Sequence, residues 1–317
     1  MDTKVINSKT AGAFLICVAA TLWGLDGVVL TPRLHNLDVE LVVFMLHVIP
    51  FLLFSLFLSK EYKNLKEFTK LDFLGFFLVA LFGGALGTMA IVKALFLVNF
   101  QQLTIVVLLQ KLQPIFAIAL ASIVLKEKLN ANFLLWGTIA ICGAYFLTFG
   151  TKLPNFDTGS NTVHAALYAL LAAFSFGSST VFSKRLLTKF SFKTATFYRY
   201  GFTSAIMLII VLIGGKLVLI ESVTNTNWLI MSLIALTTGS GAIFIYYYGL
   251  RSVKAIVATI CELCFPISAV VFDYFINGEM ISAIQWISAV VMFFAIIMMN
   301  KKGTPKIKHA KILVKNS

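Results

Sequence analysis

The segment LQKLQPIFAIALASIVLKE, residues 109–127, is followed 152 positions later by CELCFPISAVVFDYFINGE, residues 261–279. In each copy a proline lies thirteen positions before the closing glutamate. The same displacement places Arg199 opposite His47, and a one-residue slip places Phe176-Gly177 opposite Trp23-Gly24. A match that keeps its order over this distance predicts an internal repeat of about 150 residues.

The composition predicts a membrane protein. Hydrophobic residues make up 59% of the 317 residues and charged residues only 12%, whereas soluble domains carry about 25% charged residues. Apolar stretches near the length of about 20 residues that crosses a bilayer recur along the whole sequence. We expect an all-α polytopic membrane protein with ten transmembrane helices. The predicted spans cover residues 11–31, 41–59, 72–97, 103–125, 132–150, 163–184, 194–214, 228–250, 254–275 and 281–299.

An odd number of spans in each copy would place the second copy upside down relative to the first. Two inverted five-helix repeats are typical of secondary transporters. The predicted segments are a cytoplasmic N-terminus at 1–10, a first repeat at 11–150, a linker at 151–161, a second repeat at 162–300 and a basic cytoplasmic tail at 301–317.

The net charge of +13 is unevenly distributed between the predicted loops. One set of alternate segments, which includes both termini, holds twenty of the 26 Lys and Arg residues, and the other set holds only Arg33, Lys152 and Lys216. An excess of Lys and Arg marks cytoplasmic loops. We therefore expect both termini in the cytoplasm, with the protein in the plasma or inner cell membrane. The basic charge does not indicate a nucleic-acid partner.

The paired motifs resemble the proline…glutamate signature of the EamA family, within the drug/metabolite transporter superfamily. The matching residues are Leu112-Gln113-Pro114 with Leu125-Lys126-Glu127, and Cys264-Phe265-Pro266 with Asn277-Gly278-Glu279. The resemblance covers about residues 11–300 and implies a ten-helix transporter with inverted repeats and a central cavity for small organic solutes. The chain departs from the commonest pattern at Gln113 and Phe265, where glutamate often precedes the proline.

Six charged residues fall within the predicted spans: Asp26, Lys93, Lys111, Arg199, Glu262 and Asp273. A charge at mid-bilayer costs about 2.5–3.5 kcal/mol on insertion scales, so such residues usually face a partner or a hydrated cavity. Lys111 and Glu262 lie nearest the middle of the equivalent spans four and nine, just before prolines that can free a backbone carbonyl. With Gln110, the counterpart of Glu262, they are predicted to bind substrate or a coupling ion. The alternative is a buried ion pair that joins the repeats.

Asp26, Lys93 and Asp273 fall in the outer halves of their spans. Lys93 can pair with either acid and so form an outer gate, although Asp273 can also be an interfacial residue near a helix end. Trp23, deeper in span one, is predicted to contact substrate by stacking or by a cation–π interaction. Asp26 and Trp23 therefore join the predicted substrate or coupling residues.

Three further features receive structural interpretations. Arg199, near the cytoplasmic end of span seven, is predicted to extend its side chain to the membrane interface. His47 is predicted to be a hydrogen-bonded packing residue rather than a proton relay. The run Tyr246-Tyr247-Tyr248 is predicted to belong to an aromatic belt, although at least one ring could face the translocation path.

The sequence disfavours three other classes of membrane protein. It has no G-x-x-x-x-G-K-[ST] motif for ATP hydrolysis. The serine in Gly239-Ser240-Gly241 lacks the histidine or metal-ligand cluster that a membrane enzyme needs, and no repeated ring of one charge indicates a channel. Cys261 and Cys264 have C-x-x-C spacing but no second ligand pair. We predict a non-enzymatic protein without cofactor or metal.

The inverted duplication, short connections and central charges predict a secondary transporter of small polar organic metabolites that works by alternating access. Mixed charge within the spans favours amino acids or related zwitterions. The 14% aromatic content leaves export of cationic or aromatic compounds as the alternative. The predicted partners are the lipid bilayer, the small-molecule substrate, and protons or a counter-substrate. The sequence leaves open whether the protein is a monomer or a homodimer, and whether it imports or exports.

Overall fold

The computed structural model describes residues 2–98, 106, 109–151, 160–278 and 280–302, and every regular element in these ranges is helical. Glu279 and most of the predicted linker at 151–161 lie outside the described residues. The helices of the first half are α1 (Asp2–Leu25), α2 (Val39–Phe57), α3 (Lys70–Val79), α4 (Gly87–Leu97), α5 (Gln113–Val124) and α6 (Ala131–Phe149). Those of the second half are α7 (Ser160–Leu186), α8 (Phe192–Ile213), α9 (Asn225–Ile234), α10 (Ser240–Leu250), α11 (Ala255–Cys261), α12 (Cys264–Phe272) and α13 (Ala283–Lys302).

Several of these helices continue through π-helical turns, in which each hydrogen bond spans five residues instead of four. The turns Ala80–Leu86 and Ala235–Gly239 occupy corresponding places, since the first joins α3 to α4 and the second joins α9 to α10. Two further π-helical turns follow α1 and α12, at Asp26–Leu30 and Asp273–Asn277. Spans three and eight are therefore each built from two helices joined by the same local irregularity.

Eight helical stretches in the described ranges are long and apolar enough to cross a membrane. They are Lys9–Leu34, Val39–Phe57, Lys70–Leu97, Ala131–Phe149, Val163–Leu186, Phe192–Ile213, Asn225–Leu250 and Ala255–Asn277. Two shorter apolar helices, Gln113–Val124 and Ala283–Met299, fall in the predicted fourth and tenth spans. The protein is thus a multi-pass helical membrane protein. The number of ten spans stays a prediction, because part of the fourth lies outside the described residues.

Large apolar side chains cover the outer surface of the bundle. Phe57 is 80% exposed and Ile213 is 84% exposed, and many leucines and phenylalanines on other helices are similarly uncovered. Soluble monomers rarely expose contiguous apolar patches larger than a few hundred Å². Apolar side chains are stable in contact with the hydrocarbon core of a bilayer, so these exposed residues indicate a lipid-facing surface.

Helix packing follows the same pattern in both halves. Helix α1 packs against α10 and α12, and its counterpart α7 packs against α4 and α5, the counterparts of α10 and α12. Helix α2 packs against its own counterpart α8, and α6 packs against α13. Each of these helix contacts therefore has an equivalent contact when every helix is replaced by its counterpart in the other half.

Polar contacts join the halves at two separate groups of loops. In the first group, Lys189 forms an ion pair with Asp72, and Thr194 donates a 2.7 Å hydrogen bond to Glu61. Asp72 also closes the capping box at the start of α3 by accepting hydrogen bonds from Thr69. Its ion pair therefore anchors the start of α3 to the loop after α7.

The second group of loops has equivalent contacts. Lys216 lies 2.8 Å from Asp38 and 2.5 Å from Glu40, at the start of α2. Asn36 and Asn227 exchange side-chain hydrogen bonds of 3.1 and 3.3 Å, and Asn227 belongs to the capping box of α9. Partial burial would raise the pKa of Asp38, but the Lys216 ammonium and the amide of Leu41 more than offset this and hold that pKa below its ordinary value. The Asp38 carboxylate therefore stays ionised at neutral pH.

The glutamate of the first motif caps a helix of the other half. Glu127 accepts hydrogen bonds from the amides of Ala255 and Ile256, at 2.9 and 3.0 Å, where α11 begins. A carboxylate is stabilised there by the unpaired amides and the helix dipole. Lys126 positions it by adopting a left-handed conformation with φ 53°, and Glu127 N then bonds Ala121 O in a Schellman-type turn.

Lys126→Gly is expected to raise the free energy of unfolding by about 1 kcal/mol, since glycine has no Cβ to disfavour the left-handed region. The equivalent position already holds a glycine, Gly278, with φ 74°. The measurement is the thermal unfolding of the purified protein in detergent. Lys128→Gly is the matched control, because it removes the same charge without relieving a positive φ. A Lys126→Gly protein no more stable than Lys128→Gly would contradict this explanation.

Candidate functional site

The two motif helices are broken within one residue of equivalent points, just before their prolines. A turn at Lys111–Leu112 precedes α5, and a turn at Glu262–Leu263 separates α11 from α12. At each break the backbone tightens to a three-residue hydrogen bond: Leu112 N donates to Leu109 O at 3.1 Å, and Leu263 N donates to Ile260 O at 3.0 Å. The prolines have no N–H to continue an α-helical pattern through the break. Each break therefore exposes backbone and side-chain polar groups deep within a span.

The breaks face each other across a small cavity of about 40 Å³. It is lined by Gln110, Lys111, Gln113, Pro114, Thr259, Glu262, Leu263, Phe265 and Pro266. Three residues predicted from the sequence, Gln110, Lys111 and Glu262, are thus brought together. Such a volume holds a few water molecules, whereas pockets for organic ligands measure about 300–1,000 Å³. The cavity must widen before an organic solute can bind.

Glu262 accepts hydrogen bonds from both halves of the molecule. Gln113 Nε2 donates to Glu262 Oε2 at 2.5 Å, and the hydroxyls of Tyr246 and Thr180 donate to Oε1 at 2.5 and 3.3 Å. The ring of Tyr246 in turn packs 5.3 Å from that of Trp23. Trp23 therefore lies behind Tyr246 and is not among the residues that line the cavity. Donors on α5, α7 and α10 thus all bond to the Glu262 carboxylate.

Lys111 makes its hydrogen bonds to α6 rather than to Glu262. Its ammonium donates to Ala144 O at 3.1 Å and to the hydroxyl of Thr148, near the C-terminal end of α6. A cation is favourable there because the carbonyl groups at a helix end carry partial negative charge. Lys111 and Glu262 line one cavity but form no ion pair within the described residues. The alternative interpretation, a buried ion pair joining the repeats, is not what the structure contains.

Two glycines allow neighbouring helices to approach the breaks. A Cβ on Gly24 of α1 would lie only 2.9 Å from Phe265 O and from Ala269 N of α12. A Cβ on Gly177 of α7 would meet the equivalent backbone atoms of α5 at 2.9 and 3.0 Å. Small residues permit this backbone-to-backbone packing in membrane helices. The weak sequence match between Trp23-Gly24 and Phe176-Gly177 thus corresponds to one repeated helix crossing.

The family model of EamA-like transporters matches the chain twice, over residues 10–149 and 164–301. The chain belongs to the EamA-like transporter family. Each matched region contains one of the two broken helices that line the cavity. The resemblance seen in the motifs is therefore confirmed, while the domain boundaries drawn from the sequence stay predictions.

Other comparisons agree with membership of the EamA-like family. A protein described as "Riboflavin transporter ImpX", from Fusobacterium nucleatum subsp. nucleatum, is 57% identical over 297 residues, which are 93% of this chain and 99% of that protein. A solved structure described only as "Crystal structure of protein" is similar with a TM-score of 0.69, covering 93% of this chain and 97% of that chain at 13% identity. The second likeness shows the fold alone. This EamA-like protein is a membrane transporter of a small molecule and not an enzyme.

Arg199 corrects one expectation from the sequence. Its side chain does not extend to the membrane interface but is buried, with 8% of its surface exposed. Its guanidinium donates to Gly83 O at 2.8 Å, to Tyr247 Oη at 3.1 Å and to Ser179 Oγ at 3.3 Å. Gly83 lies in the π-helical turn between α3 and α4, so Arg199 ties α8 to the irregular part of that span. The sequence signal was the charge itself, since an arginine within an apolar span requires such partners.

Two of the three tyrosines in the run Tyr246-Tyr247-Tyr248 are buried, and so is His47. Tyr246 and Tyr247 are buried and contribute hydroxyls to the networks of Glu262 and Arg199, so the aromatic-belt interpretation is wrong for both. Only Tyr248 is exposed, with the Arg251 guanidinium 4.0 Å from its ring centre. His47 is buried, with Nδ1 2.7 Å from Val43 O, which confirms its packing role.

The predicted outer gate is not closed by an ion pair here. The Lys93 ammonium lies 5.2 Å from the ring centre of Tyr168, whereas Asp273 accepts a hydrogen bond from Asn277 at 2.7 Å. Among the described residues no ion pair joins Lys93 to Asp26 or Asp273. Asp26 accepts a 3.1 Å hydrogen bond from Thr31 and is not a cavity residue. The gating role of Lys93 and Asp273 and the coupling role of Asp26 stay predictions.

Metal binding has no structural support in the described ranges, where no group of three or more His, Cys, Asp or Glu side chains could hold an ion.

Proposed function

We propose that this EamA-like protein is a secondary transporter of riboflavin or a closely related flavin and works by alternating access. The observation that carries the proposal is the 57% identity, across nearly the full length of both chains, to a protein named as a riboflavin transporter. Substrate sites diverge widely among distant transporters of one family. At this identity, however, most residues around an equivalent cavity would be the same.

The cavity chemistry is compatible with a neutral, hydrogen-bonding solute that has an aromatic ring. Amide, hydroxyl and carboxylate groups line it together with Phe265. Its two charged side chains already make hydrogen bonds to neutral groups, Lys111 to α6 and Glu262 to three donors. Riboflavin carries no net charge at neutral pH, so it can bind there without an ionic partner.

Amino acids or related zwitterions remain the second candidate. The observation in their favour is that Lys111 and Glu262, of opposite charge, line the same cavity. A zwitterion would place its carboxylate at Lys111 and its ammonium group at Glu262. We rank zwitterions below flavins because the 57% identical relative is named for riboflavin.

Alternating access between inverted repeats is supported by the contacts that join the halves. The loop after α1 contacts the segment before α9 and the first turn of α9, while the loop after α7 contacts the start of α3. The loops after α1 and α7 are equivalent in the two copies but contact different parts of the molecule, and an inverted arrangement accounts for this difference. We place both termini in the cytoplasm of a plasma or inner cell membrane, on the Lys and Arg asymmetry of the loops.

Purified protein reconstituted in proteoliposomes is expected to take up riboflavin with saturable kinetics. Riboflavin preloaded inside the vesicles should accelerate uptake several-fold, because a carrier exchanges faster than it returns empty. Protein-free liposomes provide the background, and a panel of amino acids provides the competitors. Uptake that rises linearly with concentration would indicate a channel. Competition by an amino acid together with no saturable riboflavin flux would favour the second candidate.

A further inference from the structure

One buried hydroxyl beside the cavity has no partner. Thr259 is 1% exposed and lines the cavity, and its Oγ1 makes no hydrogen bond within the described part of the chain. Buried polar groups in folded proteins are nearly always hydrogen-bonded. An unpaired hydroxyl at the wall of a binding cavity indicates that its partner is supplied by what enters the cavity.

Thr259 lies close to two other polar residues that line the cavity, Glu262 and Gln113. Thr259 and Glu262 are three positions apart across the end of α11, so they lie on one side of the helix. Gln113 donates one N–H to the Glu262 carboxylate and has a second N–H to offer. The residues that line the cavity therefore offer two donors and one acceptor: the Thr259 hydroxyl, the Gln113 amide and, bonded to Gln113, the Glu262 carboxylate.

A flavin ring carries the complementary groups along one edge, where an imide N–H lies between two carbonyl groups. We infer that Thr259, Glu262 and Gln113 form the subsite that binds this imide edge, an assignment that rests on the proposed flavin transport. Glu262 accepts the ring N–H, and Thr259 and Gln113 donate to the two carbonyl oxygens. Phe265, which also lines the cavity, offers apolar surface to the ring. The ribityl chain then points away from these residues and contributes less to recognition.

The subsite should recognise the flavin ring rather than the ribityl chain. Equilibrium binding to the purified full-length protein is measured by quenching of flavin fluorescence, with riboflavin, lumiflavin, N3-methylriboflavin and ribitol as ligands or competitors. Lumiflavin, which lacks the ribityl chain, should bind within about 10-fold of riboflavin, and ribitol should not compete. N3-methylriboflavin should bind at least about 100-fold more weakly, because it leaves buried polar groups of the site unpaired.

Two variants test whether Thr259 binds the imide edge of the flavin. Thr259→Val, which removes only the hydroxyl, should weaken riboflavin binding about 3- to 10-fold, as expected for one lost neutral hydrogen bond. Thr238→Val is the matched control, because Thr238 is also 1% exposed with an unpaired hydroxyl but does not line the cavity. Thr238→Val should leave the affinity unchanged.

The outcomes separate this subsite from the transport proposal. Equal affinities for riboflavin and N3-methylriboflavin would overturn the subsite while riboflavin binding stands, and this comparison needs no variant to fold. Equal effects of Thr259→Val and Thr238→Val would also overturn it. If riboflavin does not bind the unmodified protein at all, the proposed function itself fails.

Discussion

Replacing Glu262 with glutamine is expected to abolish the pH dependence of net riboflavin uptake while riboflavin exchange continues. Among the described residues that line the cavity, Glu262 is the only carboxylic acid. Ionisable residues within membrane spans commonly serve as proton relays or substrate sites. A glutamine cannot take up and release a proton, so coupling to a proton gradient would be lost. Its side-chain oxygen can still accept a hydrogen bond, and substrate would still exchange, with reduced affinity.

The measurement compares riboflavin accumulation in proteoliposomes with and without an inward proton gradient. In the unmodified protein the gradient should raise accumulation several-fold above the equilibrium level, and in the variant accumulation should stop at that level. Glu221→Gln serves as control, because Glu221 is an exposed residue in the turn after α8. If riboflavin uptake by the Glu262→Gln variant still depends on pH, Glu262 is not the coupling residue.

Gly24→Ala is expected to be strongly destabilising although it adds only one methyl group. The added Cβ would lie 2.1 Å from Ser268 Oγ and 2.9 Å from two backbone atoms of α12. A serine side chain can rotate away, but the backbone of a packed helix cannot. Overpacking of this kind costs about 1–3 kcal/mol or more. Since the contacted backbone belongs to the broken helix, transport should fall together with stability.

Gly27→Ala provides a control one turn along the same segment. Its Cβ would lie 3.6 Å from the Phe265 ring, which is an ordinary van der Waals contact. We expect a loss of at least about 2 kcal/mol in unfolding free energy for Gly24→Ala and little change for Gly27→Ala, measured by thermal unfolding in detergent. Gly177→Ala should behave like Gly24→Ala, because it meets the equivalent backbone of α5. Similar stabilities for the variants at positions 24 and 27 would contradict this description of the helix crossing.

Much of the fold could be predicted from local features of the chain. Span lengths follow from runs of apolar residues, and helix breaks follow from Pro114 and Pro266, because a proline cannot donate a backbone hydrogen bond. The repeat places the two breaks in equivalent spans. This was sufficient to predict that Gln110, Lys111 and Glu262 lie together, and all three line one cavity in the structure.

The partners of the polar residues could not be predicted in the same way. Arg199 was expected at the interface, yet it bonds Tyr247 and the carbonyl of Gly83. Glu127 lies in the loop between α5 and α6, as the predicted spans imply, but its capping of α11 in the other half could not be foreseen. Thr259 carries no charge and belongs to no motif, so nothing in the sequence distinguishes it from other threonines in apolar spans.

The sequence by itself determined the membrane class, the duplication and the two central helix breaks, because each depends on residues close together in the chain or on a fixed repeat distance. Only the tertiary structure decided which side chains meet. The rotation of each helix about its axis depends on packing against its neighbours, as at Gly24 and Gly177, and this rotation selects the polar groups that face inward. Contacts such as Gln113 with Glu262, 149 positions apart, therefore exist only in the folded molecule.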